Sequence, residues 1–95
     1  MKLSMDKVIR GEVVRMALYL PETKTMHEFS VVAIGDSHNA IKFLATHGPV
    51  NAGREEFFWI PKSWSLVGVP RRAGLFYIPI KKAREIGVHR VLTFN

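Results

Sequence analysis

The segment Phe57-Phe58-Trp59-Ile60-Pro61, with its shorter echo Phe76-Tyr77-Ile78-Pro79, constrains this chain more than any other feature. In both copies, aromatic residues and an isoleucine stand directly before a proline. Aromatic and β-branched residues favour a pleated, half-buried strand, and proline tends to end such a strand because it cannot donate to the ladder. Two strands are therefore predicted, over residues 55–60 and 75–78. The first can resume after its proline, over residues 64–69.

Residues 7–20 fit two different structures. Their apolar residues recur at helical spacing, but from residue 14 to residue 20 they also alternate as in a strand. Gly11 and the β-branched residues of the run oppose a helix. A polar connector over residues 21–25 leads into a second strand-like run over 26–34, and two such runs across a short connector are typical of a hairpin. The hairpin is the preferred prediction.

The segment 37–47 predicts an amphipathic helix. Ser37 can serve as its N-cap, and Gly48-Pro49 would end it. The apolar residues at helical spacing are Ala40, Ile41, Leu44 and Ala45.

A second, shorter helix is predicted after Pro79, which suits a first helical turn, and it ends at Gly87. Its inward residues are Ile80, Ala83 and Ile86. A closing strand follows over residues 88–94. This order of elements predicts one α+β domain over residues 1–95, built on a mostly antiparallel five-stranded sheet or a small partly open barrel with one amphipathic helix and a short second helix.

Composition excludes several classes of protein. The chain has no cysteine, which excludes a disulfide framework and thiolate zinc sites. No apolar run follows the first charged residues, so no signal peptide is predicted. No apolar window approaches the ~20 residues that cross a bilayer. We therefore expect no membrane contact and a cytoplasmic location in a bacterial or archaeal host.

The formal net charge of +6 arises entirely in the last third of the chain. Residues 1–61 hold seven basic and seven acidic residues, whereas residues 62–95 hold seven basic residues against Glu85 alone. Such one-sidedness favours a polyanion or an acidic protein surface as partner. A solvated basic face that only improves solubility is the plainer interpretation.

Aromatic residues are interleaved with these cations, as in proteins that bind nucleic acid. Cationic grooves with aromatic platforms hold single strands, and arginines at the tip of a hairpin can clamp phosphates. Phe58, Ile60 and Ile78 are assigned to the core instead. The candidate residues for binding nucleic acid or a protein partner are Lys62, Trp64, Arg71, Arg72, Tyr77, Lys81, Lys82, Arg84 and Arg90.

Patterns of catalysis or of metal binding are missing from the sequence. The four histidines lie in separate segments without metal-ligand spacing. Asp36, Ser37 and His38 are neighbours on one chain, and their side chains cannot form the relay of a catalytic triad. A non-enzymatic protein without a cofactor is therefore predicted.

Two stretches resemble known families. Gly74-Leu75-Phe76-Tyr77-Ile78-Pro79, with the later Ala83 and Ile86-Gly87-Val88, resembles the strand–helix–glycine pattern of AbrB-like swapped-hairpin DNA-binding proteins. Trp59-Ile60-Pro61-Lys62-Ser63, with the later Ile-Pro, is similar to small phage-encoded proteins of unassigned function. The first resemblance implies DNA binding, and the second implies an origin in a mobile element.

Two functions follow as hypotheses. The first is a small nucleic-acid-binding protein of phage or mobile-element origin. The second is a phage-borne inhibitor that binds a host defence protein, and a structural component of a particle is a third, plainer option. A homodimer through an unpaired sheet edge is also open.

Overall fold

The computed structural model describes residues 1–46 and 55–87. These residues form seven strands, one α-helix and one 3-10 turn over Met5–Lys7. The elements are β1 (Lys2–Ser4), β2 (Val13–Leu20), β3 (Thr25–Asp36), β4 (Ala40–Thr46), β5 (Glu55–Pro61), β6 (Ser65–Gly68), β7 (Leu75–Tyr77) and α1 (Ile80–Ile86). No helix in the described part is long and apolar enough to span a membrane.

All seven strands belong to one mixed sheet, in the order β1-β6-β7-β2-β3-β4-β5. Strands β2 to β5 follow one another as antiparallel hairpins. Strands β1, β6 and β7 are also antiparallel to one another. The two groups meet where β7 pairs in parallel with β2, with Arg15 opposite Leu75 and Ala17 opposite Tyr77. The chain therefore brings its beginning and its last third together in the middle of the sheet.

One face of the sheet, which we call the inner face, carries the core. Alternate residues of each strand point to it, because successive side chains of a strand point to opposite faces. Phe43 and Phe58 stack there with ring centroids 5.8 Å apart. Helix α1 packs on the same face and buries Ala83 completely. The other buried inner-face residues include Val14, Met16, Leu18, Val31, Ile41, Ile60 and Leu66.

The opposite face, which we call the outer face, is not covered by α1 or by the 3-10 turn, both of which pack on the core. In β2 it carries Arg15, Ala17 and Tyr19, which alternate with the buried Met16 and Leu18. The pairing register extends this assignment to every other strand. Within residues 1–46 and 55–87, the outer face is therefore left without a helix packed on it.

The predicted fold class is wrong. A seven-stranded mixed sheet with a single α-helix in the described residues replaces the five-stranded antiparallel sheet with two helices. Strand β1 was not predicted. Residues 65–68 form a separate strand, β6, on the far side of the sheet rather than a continuation of β5.

The amphipathic helix predicted over 37–47 is the largest error, because Ala40–Thr46 is strand β4. The hydroxyl oxygen of Ser37 does accept the backbone N–H groups of Asn39 and Ala40, at 3.3 and 3.2 Å. This local hydrogen bonding serves a tight turn as well as it serves a helix N-cap. Here the chain reverses into the β3–β4 hairpin, and Ser37 N–H donates to the carbonyl of Ala40.

Other predicted elements are confirmed. The hairpin of residues 7–34 exists as β2 and β3, and the two strands before the prolines exist as β5 and β7. Helix α1 begins after Pro79 and ends at Gly87, whose φ of 80° is left-handed. The closing strand predicted over 88–94 lies outside the described residues.

Candidate nucleic-acid interface

The outer face gathers cations from distant parts of the chain. The register places Lys2 of β1, Arg15 of β2 and Lys42 of β4 on it. The guanidinium of Arg72, from the β6–β7 turn, also reaches this face, where it binds Glu28 of β3. Glu28 is the one acidic residue that the register places on the outer face in strands β1–β4, β6 and β7.

Glu28 holds two of these arginines. Arg72 donates to both carboxylate oxygens of Glu28, with its Nη2 at 2.7 Å from Oε1 and its Nη1 at 3.2 Å from Oε2. Nη2 of Arg15 lies 3.2 Å from the same Oε1. Arg72 binds the carboxylate in the fork geometry that arginine uses for carboxylate and phosphate alike, and Arg15 adds a single bond to one of its oxygens. About half of each arginine side chain remains exposed.

Arg71 occupies a strained position at the tip of the β6–β7 turn. The N–H of Arg72 donates to the carbonyl of Val69 at 3.1 Å, so Pro70 and Arg71 are the central residues of this turn. The φ of Arg71 is +64°. A proline followed by a residue with positive φ marks a type II turn, in which the second central position usually holds glycine or asparagine.

The side chain of Arg71 makes no hydrogen bond or ion pair with the described residues that would stabilise the fold. It lines a depression of 530 Å³ at the β6–β7 turn, together with Gly68, Arg72 and Leu75. Backbone strain that no local contact offsets is concentrated at functional positions in proteins. Lys24 in the β2–β3 turn has a positive φ as well, so Arg71 is distinguished by its place next to Arg72, which already binds a carboxylate. Arg71 is therefore a strong candidate for contact with an anion.

The outer face also carries exposed aromatic rings at β5. Phe57 and Trp59 alternate with the buried Phe58 and Ile60, and 44% and 43% of their surfaces are exposed. Lys42 of β4 lies beside them, with its Nζ 4.9 Å from the ring centroid of Phe57 and 5.8 Å from that of Trp59. We call these three residues the aromatic platform.

The structure places most of the other predicted site residues away from the outer face, and Tyr77 is the exception among the described ones. Trp64 packs against the core, and the Nζ of Lys82 lies 4.7 Å above its ring. Lys81 is exposed on α1, which covers the inner face. Tyr77 lies on the outer face, half-buried, beside Ala17. Arg90 lies outside the described residues.

Two further predicted cations already have carboxylate partners. Nζ of Lys62 lies 3.0 Å from Oδ2 of Asp36, and the guanidinium of Arg84 donates to Glu22. The pKa of the Glu22 carboxyl lies below its ordinary value, first because of a hydrogen bond from its own backbone and second because of Arg84. Of the described cations of the last third, Arg72 reaches the outer face and Arg71 adjoins it at the tip of the β6–β7 turn. We call these two residues, together with Lys2 and Arg15, the outer-face cluster.

Sequence reasoning missed five residues of this interface, which are Lys2, Arg15, Lys42, Phe57 and Trp59. The three cations were missed because residues 1–61 have no net charge. A count of charges along the chain does not show which charged residues share one face of the sheet. Strand alternation could have found the two rings, since Phe57 and Trp59 must face away from the core if Phe58 and Ile60 face it.

No cluster of three or more metal-ligating side chains occurs in residues 1–46 and 55–87. Comparison of the chain with protein-family models, with curated proteins and with solved structures finds no match.

Proposed function

We propose that this protein binds nucleic acid and that the outer face contacts the phosphates. The observation that carries the proposal is the presence of Lys2, Arg15 and the guanidinium of Arg72 on that face, with Arg71 at the tip of the adjoining β6–β7 turn, against Glu28 as its one acid in the strands named above. Backbone phosphates supply most of the affinity of such proteins, and arginine and lysine side chains neutralise them. This proposal keeps the function that the sequence indicates and moves its site from the basic last third to the outer face.

Two double variants with the same net charge test this site. Lys2→Gln/Arg71→Gly removes two cations from the outer-face cluster. Lys24→Gly/Lys81→Gln removes one cation from the β2–β3 turn and one from α1. Lys24 matches Arg71 in backbone conformation, because its φ of 54° is also positive. Binding of a labelled oligonucleotide is measured by fluorescence anisotropy over a range of salt concentrations.

We expect the first variant to bind more weakly and to reduce the slope of log K against log salt by about 1.4, since each phosphate contact to a single strand contributes about 0.7. The second variant should keep the slope of the unmodified protein. Equal losses in both variants would show that only the net charge matters, and a loss confined to the second would place the site on the helix side.

A protein partner with an acidic surface is the second candidate. It is favoured by an apolar row that crosses four strands of the outer face, formed by Phe57, Leu44, Val32 and Val13, with Val13 64% exposed. Contiguous exposed apolar surface commonly marks a protein interface. Copurification of one stoichiometric protein that survives nuclease treatment, with no retained oligonucleotide, would support this candidate over the first.

A further inference from the structure

We infer that the aromatic platform of Phe57, Trp59 and Lys42 is a stacking site for unpaired nucleobases, so that the ligand is a single strand. The inference rests on the proposed function and adds the class of nucleic acid to it. Its evidence is independent of the arginine cluster, because the platform lies on β4 and β5 and the cluster lies on β1, β2 and the β6–β7 turn.

The two rings are much more exposed than the core residues of the same strand. Phe58 and Ile60 of the same strand are buried in the core, whereas Phe57 and Trp59 leave more than two fifths of their surface in water. The sheet itself does not require an aromatic residue at an exposed strand position, since a smaller or a polar side chain is also compatible with a strand there. Large rings exposed side by side on an open face are the surface that unstacked bases use in proteins that bind single strands.

The ammonium group of Lys42 indicates which kind of ligand the platform can bind. Its ammonium group lies between two rings and has no carboxylate partner in the part of the chain that the structure describes. A second copy of the chain packed with its two-fold axis at the platform would bring two such ammonium groups together, and like charges there are unfavourable. A purely apolar partner would leave the charge buried and unpaired. A strand of nucleic acid supplies planar faces for the rings and phosphates for the ammonium group.

The platform and Arg15 lie on the same face, three strand positions apart from β5 to β2. Neighbouring strands are about 4.8 Å apart, so the separation across the sheet is roughly 14 Å. A single strand that crosses the sheet can therefore stack at one end and be held by phosphate contacts at the other.

The test compares two ligands of equal charge, an oligothymidine of about 12 nucleotides and an abasic oligonucleotide of the same length. The variant Phe57→Leu/Trp59→Leu removes both rings and retains apolar surface, and Tyr19→Leu is its matched control. Tyr19 is also an outer-face aromatic, 45% exposed, but lies at the other end of β2 from Val13. Circular dichroism confirms that each variant is folded.

We expect the unmodified protein and Tyr19→Leu to bind the oligothymidine at least about tenfold more tightly than the abasic strand, since stacking on one ring accounts for about that much. The ring variant should bind the two ligands equally. Equal affinities in the unmodified protein, or an unchanged preference in the ring variant, would overturn the platform and leave the phosphate site intact.

Failure of the proposed function gives a different result. If neither oligonucleotide binds at low salt, both the phosphate site and the platform are overturned. A nuclease-resistant protein partner that the ring variant no longer retains would then assign the platform to a protein instead.

Discussion

At Arg71, one substitution is expected to change the free energy of unfolding and the proposed binding in opposite directions. A non-glycine residue with positive φ is strained by about 1–2 kcal/mol, and glycine relieves that strain at the expense of a more flexible unfolded chain. We expect Arg71→Gly to raise the free energy of unfolding by roughly 0.5–1 kcal/mol and to weaken nucleic-acid binding. Lys24→Gly should raise stability similarly without affecting binding. Urea titrations with the anisotropy assay check both, and a destabilised Arg71→Gly would show that this turn is not strained.

Glu22 and Arg84 predict a pH dependence at the β2–β3 turn. Because the pKa of Glu22 is lowered in the folded protein, its contribution to stability is present at neutral pH and is lost as the pH falls through the carboxyl range. In Arg84→Ala the pKa should rise and still remain below its ordinary value, because the backbone hydrogen bond is the larger cause. NMR titration of the Glu22 side chain measures both values. A pKa that does not move in Arg84→Ala would exclude the ion pair as a cause.

At the scale of elements, Glu28 joins the β6–β7 turn to β3 through Arg72 and holds Arg15 as well. Its carboxylate occupies the position in which a phosphate would meet the same two guanidinium groups. We expect Glu28→Gln to raise oligonucleotide affinity about fivefold, as ~1 kcal/mol of competition is removed. The cost in stability should stay below about 1 kcal/mol, since the ion pairs are at the surface.

The control for Glu28→Gln is Glu85→Gln, which makes the same change in charge on the exposed side of α1. If both variants bind equally tightly, the effect comes from net charge and not from the release of the arginines.

Strand β4 shows what sequence patterns could predict and what they could not. Ile41, Phe43 and Ala45 alternate toward the core, but Ala40, Ile41, Leu44 and Ala45 read equally well as one side of a helix. Over seven residues the two periods cannot be told apart. The decision comes from tertiary structure, because β4 pairs along its whole length with β3 and β5. The strands before Pro61 and Pro79 were predictable because their signal is local.

At the scale of the whole molecule, the candidate interface could not be predicted from the sequence, because strand pairing determines which distant residues become neighbours. Arg71 and Arg72 stood out in the sequence as a charged turn. Lys2 and Arg15 did not, because they lie far from the turn along the chain and join it only through the pairing of β1 with β6 and of β2 with β7. Residue types predict a nucleic acid or an acidic protein as partner, whereas sheet order determines which cations share a surface.

The parallel pairing of β2 with β7 predicts an order in which the strands of this molecule pair during folding. Arg15 and Leu75 are sixty positions apart in sequence, whereas β2 to β5 are joined by short connections that close early, because the entropy of loop closure grows with the length of the loop. A chain still emerging from synthesis can therefore present Phe57 and Trp59 before the two arginines have met. Under the proposed function, both contacts with a nucleic acid would be complete only after β7 has paired with β2.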